Sequence, residues 1–186
     1  VNSYVGQLQD ELDVPKTGPI FTVVIPAYNV EDYLEEAVQS ILNQDIGFED
    51  HVEIVIVNDG STDKSGEIAD RLAHKYPANI HVIHQANQGV SMARNNGMAQ
   101  AKGLYVGFLD PDDKYSHETF RHVKSFFDVH GNEVDVVGIP IVFFEAQQGD
   151  HPLNVKFDDG TRVIDIEEKW FYHQSAVMSA FMKSRF

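Results

Sequence analysis

Short apolar runs of strand length alternate with stretches of helical period along most of the chain. Phe21-Thr22-Val23-Val24-Ile25-Pro26 is a β-rich run closed by proline, so it predicts a first buried strand ending at Pro26. Ala27-Tyr28-Asn29 makes the turn. Leu34, Ala37, Val38, Ile41 and Leu42 then recur at helical spacing and predict an amphipathic helix over about 31–44. Asn29 is its expected N-cap, with Glu31 and Asp32 favourable in the first turn. Val52-Glu53-Ile54-Val55-Ile56-Val57 is a second strand that ends in Asn58-Asp59-Gly60-Ser61-Thr62-Asp63. Ile68, Ala69, Leu72, Ala73 and Tyr76 mark a second helix, and Ile80-His81-Val82-Ile83-His84 a third strand. Residues 89–101 read as a small-residue helix in which Ala93, Gly97 and Ala101 share a face and permit close approach to a sheet.

Gly103-Leu104-Tyr105-Val106-Gly107-Phe108-Leu109 is the next apolar run, and it stops at Asp110-Pro111-Asp112-Asp113. Ser116 is expected to cap a helix reaching about residue 130, with Phe120, Val123 and Phe127 inward. Residues 134–144 form a longer β-rich run. Asp158-Asp159-Gly160 predicts a hairpin turn between Val155-Lys156-Phe157 and Thr161-Arg162-Val163-Ile164. The tail, 170–186, is apolar.

Alternation of strand and helix with short connections predicts an α/β fold, a mostly parallel sheet with helices on both faces. Such sheets bind ligands at the carboxyl ends of their strands. Tyr28, Asp59 and Asp110 to Asp113 all fall at those ends, so three strands deliver special residues to one edge. The polar residues 1–19, punctuated by Pro15 and Pro19, read as a leader or linker, and 20–186 as the domain.

The three acids add candidate chemistry. Carboxylates at i and i+2 of extended backbone point the same way, and Pro111 holds Asp110 in the extended region. Asp110 and Asp112 would then be a rigid pair of hard oxygen ligands for Mg²⁺ or Mn²⁺. An equally available reading is a polar turn that caps the following helix. The histidines offer less: His81 and His84 lie three apart in a strand and face opposite sides.

Composition narrows the classes. The 186 residues suit one domain, and the absence of cysteine excludes a thiolate nucleophile, a disulfide framework and Cys-ligated zinc. No apolar run approaches the ~20 residues that span a bilayer, and residues 1–20 have no signal-peptide pattern, so a cytoplasmic location is expected. The formal net charge of −15, 29 acids against 14 bases, argues against nucleic acid as a partner. It leaves room for a nucleotide, because a bound divalent cation inverts the local charge.

Four blocks together resemble the family 2 glycosyltransferases of GT-A fold. They are Val24-Ile25-Pro26-Ala27-Tyr28-Asn29, Val57-Asn58-Asp59-Gly60-Ser61-Thr62-Asp63, the run from Asn87-Gln88-Gly89-Val90 to Arg94-Asn95-Asn96-Gly97, and Phe108-Leu109-Asp110-Pro111-Asp112-Asp113. They occur in the family's order and spacing. The resemblance implies a Rossmann-like GT-A domain that uses a UDP-sugar donor with Mn²⁺ or Mg²⁺. It implies that Tyr28 stacks on the base, with Pro26 and Ala27 lining the slot, and that Asp59 accepts the uracil N3–H. Asn87 and Arg94 would reach the base or diphosphate. Asp110 would contact the ribose, or the metal through water; Asp112 would ligate the metal directly, and Asp113 would lie beside it or toward the acceptor. Pro111 departs from the small residue usual there.

The resemblance also implies inverting transfer to an acceptor hydroxyl in surface polysaccharide, teichoic acid or glycolipid synthesis. The acceptor would be a glycan, a lipid-linked chain or a polyol phosphate, reached at the inner face of the membrane through peripheral association by regions outside this chain. The general base is expected beyond Phe186, so the chain reads as the donor-binding part of the domain. Two alternatives compete with this reading. A sugar nucleotidyltransferase would need a glycine-rich basic loop where Pro26-Ala27-Tyr28-Asn29 stands. A non-catalytic nucleotide-binding scaffold would keep the fold without turnover.

Overall fold

The computed structural model describes residues 18–140, 142–143, 149–150 and 180–184. In chain order the elements are β1 (Phe21–Ala27), α1 (Leu34–Leu42), α2 (Phe48–His51), β2 (Val52–Asp59), α3 (Ser65–Lys75), β3 (Ile80–Gln85), α4 (Val90–Met98), β4 (Tyr105–Phe108) and α5 (Thr119–His130). The short strands β5 (Val136–Gly138), β6 (Val142–Phe143), β7 (Gly149–Asp150) and β8 (Ala180–Lys183) follow. Six strands form one sheet in the order β3-β2-β1-β4-β8-β5, while β6 and β7 pair separately. β1 runs parallel to β2 and β4, and β2 parallel to β3. β8 is the reversed member, antiparallel to both β4 and β5. The sheet is therefore mostly parallel, as the alternation predicted.

The period of two sorts the strands between two cores. Phe21, Val23, Ile25 and Ala27 of β1, with Val52, Ile54 and Ile56 of β2, enter the larger core under α1, α3 and α5. Val24, Val55, Val57, Val106 and Phe108 form the other, which Ala93 of α4 covers. A central parallel strand meets apolar surroundings on both sides, which explains its unbroken β-branched run. The expected close approach of α4 is present. A Cβ on Gly97 would stand 2.3 Å from Val24 Cγ1, so only glycine fits there without displacing the sheet. On the other face Phe21, Phe120 and Phe181 pack ring to ring at centroid distances of 4.9 to 5.5 Å. This contact brings β8 to β4: Phe181 sits in the larger core and Met182 against the smaller one.

Three local expectations are corrected. α1 starts at Leu34 rather than near residue 31, and Asn29 does not cap it. Asn29 instead adopts φ 53°, a left-handed conformation that asparagine tolerates, and turns its side chain to the loop after β2. Ser116 does not cap α5 through an amide; its hydroxyl meets the Thr119 hydroxyl at 2.9 Å. The run over 134–144 gives two short strands, β5 and β6, with Pro140 between them, since proline cannot donate to a ladder. The hairpin expected around Asp158-Asp159-Gly160 lies outside the described residues. Among the described residues, no helix is long and apolar enough to cross a membrane.

Candidate functional site

The carboxyl ends of β2, β1 and β4 stand side by side, so Asp59, Tyr28 and Asp110 are neighbours at one edge. Pro26 and Ala27 are buried at the end of β1, and Tyr28 emerges from it with 49% of its surface exposed. Its loop is fastened to the loop after β2. Asn29 Oδ1 accepts from the Thr62 amide at 2.8 Å, the Asn29 amide donates to Ser61 Oγ, and the Val30 amide to Ser65 Oγ. Asp63 accepts from the amides of Glu31 at 3.0 Å and Ser65 at 2.9 Å, while Glu31 accepts from the Lys64 amide at 2.8 Å. Burial raises the Asp63 carboxyl pKa, but the hydrogen bonds from Ser65 and Glu31 outweigh it and hold the group below its ordinary range.

Asp59 is buried at the tip of β2. Its Oδ1 accepts from Gln85 Nε2 at 2.7 Å and the Gln88 amide at 2.8 Å, and its Oδ2 from the Gly89 amide at 2.8 Å. The turn in Asn58-Asp59-Gly60-Ser61 belongs to Asn58, whose Oδ1 accepts from the Ser61 amide. The Asp59 carboxylate instead organises the segment between β3 and α4. That segment also comes close to Gly60, at φ 72°, where a Cβ would meet the Asn87 nitrogen at 2.8 Å. Asn87 is exposed beside it.

The acids after β4 are arranged differently from the expectation. The Asp113 amide donates to the Asp110 carbonyl at 3.0 Å, closing a turn with Pro111 at its second position. Two-residue alternation therefore does not align Asp110 with Asp112; the turn instead leaves Asp113 within electrostatic reach of both. Burial, and then the Asp112 and Asp110 carboxylates, push the Asp113 carboxyl above its usual range. Arg94 reaches across from α4, its Nη2 donating to Asp110 Oδ1 at 2.8 Å. Asp112 is exposed. Below the turn, Tyr115 is buried and donates its hydroxyl to the Phe108 carbonyl at 3.0 Å. Burial, followed by Asp113 and Asp110, pushes that phenol up as well. Among the described residues, no three His, Cys, Asp or Glu side chains form a group that would hold a metal alone. Asp110 and Asp112 are thus at most a partial ligand set, of the kind completed by water and substrate oxygens.

The structure therefore brings Tyr28, Asp59, Arg94 and the acids of Asp110 to Asp113 to one edge. The sequence reading missed Gln85, which donates to Asp59, and Asn96, which donates to Gln85. Only strand register reveals them, because Gln85 is the β3 partner of Asp59.

Glycosyl transferase family 2 matches residues 22–185 of the chain. The chain belongs to that family. It is 49% identical over 163 residues to the Minor teichoic acid biosynthesis protein GgaB of Bacillus subtilis (strain 168), covering 88% of this chain and 18% of that protein. It is 38% identical over 149 residues to the Minor teichoic acid biosynthesis protein GgaA of the same organism, covering 79% of this chain and 33% of that one. The chain thus spans a third or less of the length of these relatives. Among solved structures, S. aureus TarS 1-349 in complex with UDP-GlcNAc superposes with a TM-score of 0.75 at 25% identity, over 88% of this chain and 45% of that one. The family 2 domain has the α/β GT-A fold, with its mostly parallel sheet flanked by helices.

Proposed function

We propose that this family 2 domain binds a UDP-sugar and transfers the sugar, with inversion, to an acceptor hydroxyl in the synthesis of a cell-surface polymer. The observation that carries the reading is the meeting of an exposed aromatic ring, a buried acceptor carboxylate and an arginine-paired acidic turn at the ends of three adjacent parallel strands. The relatives named for teichoic acid biosynthesis, and the likeness to a structure holding UDP-GlcNAc, support it. By the same reasoning the acceptor is a glycan, a lipid-linked chain or a polyol phosphate.

In this reading Tyr28 stacks on the uracil, in a slot lined by Pro26 and Ala27. Asp59 accepts the uracil N3–H, and Asn87 and Arg94 face the base and diphosphate. Arg94 suits phosphate because its guanidinium is a planar, permanently charged donor fork. Asp112 and Asp110 would hold Mn²⁺ or Mg²⁺, Asp110 through water. The fit rests on the donor chemistry: Asp110, Asp112 and Asp113 offer hard carboxylate oxygens, and the repulsion that adds to burial in raising the Asp113 pKa would be relieved by a divalent charge. When bound, that cation would neutralise the leaving diphosphate. The acceptor oxygen attacks the anomeric carbon as its bond to UDP breaks, and a general base takes the hydroxyl proton.

The test is calorimetric titration of UDP into the protein with and without Mn²⁺, beside Asp112→Asn. Metal-dependent UDP binding that the variant weakens by about hundredfold is the expected result. Absence of binding to either protein would refute the donor site and favour a scaffold that keeps only the fold.

A further inference from the structure

Resting on the donor reading above, we propose that Gln85 and Asn96 act as positioning residues: a relay that orients the Asp59 carboxylate and thereby sets which base the site accepts. Gln85 and Asp59 are register partners at the ends of β3 and β2. Gln85 Nε2 donates to Asp59 Oδ1 at 2.7 Å, and Gln85 Oε1 accepts from Asn96 Nδ2 at 2.7 Å. The relay has a direction. An ionised carboxylate only accepts, so the Gln85 amide must present its NH₂ to Asp59 and its oxygen elsewhere. Asn96, from α4, supplies the donor that holds it in this orientation. A flipped Gln85 amide would set oxygen against oxygen.

The occupancy of the carboxylate shows what this achieves. An ionised carboxylate has about four lone-pair positions. Gln85 Nε2 and the Gln88 amide take two on Oδ1, and the Gly89 amide takes one on Oδ2. Among the described residues, one acceptor position is left, on Oδ2. A ligand group meeting it must donate a hydrogen, as uracil does at N3–H. Cytosine presents a bare acceptor at the same ring position and would face a carboxylate with its own lone pair. Releasing Oδ1 from Gln85 would let the carboxylate rotate and blur this selection.

The experiment compares UDP and CDP binding by calorimetry for the wild type, Gln85→Leu, Asn96→Asp, the double variant and Asp59→Asn, with thermal melts as the folding control. Gln85→Leu should lose about tenfold in UDP affinity, the order of one charge-assisted hydrogen bond. It should also narrow the preference for UDP over CDP, which a packing defect alone would not do. Asn96→Asp replaces the donor by an acceptor and should lose a similar factor. The double variant should lose no more than Gln85→Leu, because Asn96 acts only through Gln85. Additive losses, or an unchanged UDP to CDP ratio in Gln85→Leu, would overturn the relay while leaving the donor site standing. No UDP binding by the wild type, or full binding by Asp59→Asn, would overturn the donor reading and the inference with it. A ligand-free measurement separates the two failures. The Gln85 side-chain NH₂ should exchange slowly with solvent in the wild type and quickly in Asn96→Asp; fast exchange in both would refute the relay on its own.

Discussion

Glu53 and Asp59 lie on the same face of β2, at opposite edges of the sheet, and both are almost entirely buried. Around Glu53 the protein closes on itself. Thr22 Oγ1 donates to Glu53 Oε2 at 2.7 Å, and the Lys102 amide donates to the same oxygen at 3.0 Å. The Gly103 amide in turn donates to Thr22 Oγ1. Glu53 Oε1 faces Lys102 Nζ at 3.3 Å and His81 Nε2 at 3.4 Å. At the other edge, Asp59 retains an acceptor position, Asp112 is exposed and Tyr28 stands in water. A carboxylate surrounded to capacity joins strands, whereas one left with spare acceptor capacity at a strand's carboxyl end is available to a ligand.

Removing the closed carboxylate breaks this comparison hardest. Glu53→Ala strips the acceptor from Thr22 and the Lys102 amide and leaves the Lys102 ammonium and the His81 ring without their carboxylate. The expected cost is about 3 kcal/mol of stability, measured by urea unfolding. UDP affinity of the folded protein should stay within about twofold, because the two edges share no partners. A loss of UDP binding without loss of stability would show that the network at the N-terminal edge also serves the ligand.

Tyr28→Ala addresses the open edge and should do the reverse. Base stacking is worth about 1–3 kcal/mol, so UDP affinity should fall by roughly fivefold or more. Thermal stability should hardly move, since half of Tyr28 is already exposed. Unchanged affinity would remove Tyr28 from the site and leave it as an ordinary surface residue.

The contrast also marks what the sequence could reveal. The β-branched runs of β1 and β2 and the spacing of Leu34, Ala37, Val38 and Ile41 announce a buried parallel sheet with a helix on it, because burial on both faces demands continuous apolar runs. Gly97 was legible for the same reason: a helix that must lie close to a sheet shows its small face. Partners distant in sequence were not legible. Asn29 reads as a helix cap by its position, yet its side chain serves Thr62, a choice made by the approach of two loops. Asp110 and Asp112 read as an extended pair, but the hydrogen bond from the Asp113 amide bends them into a turn. β8 and its antiparallel pairing depend on Phe181 finding Phe21 and Phe120, a contact that no local pattern encodes.

The smallest effect concerns the fastening between the two loops that flank the open edge. Asp63 accepts from the Glu31 and Ser65 amides, and its carboxyl is held below its ordinary value of 3.8. A carboxylate with a depressed folded-state pKa adds stability above its unfolded value, and that stability is lost as pH falls through the folded value. Asp63→Asn keeps the shape but removes the charge and one of the two acceptor oxygens. At neutral pH it should cost less than about 1 kcal/mol, since Asp63 is near the surface and solvent screens the charge. The gap between wild type and variant should close as pH is lowered through 3.8 and below. UDP affinity should fall slightly as well, because the loop carrying Tyr28 loses one of its ties to the loop after Asp59. A stability gap that persists unchanged at low pH would mean that the amide bonds alone, and not the charge, hold the two loops together.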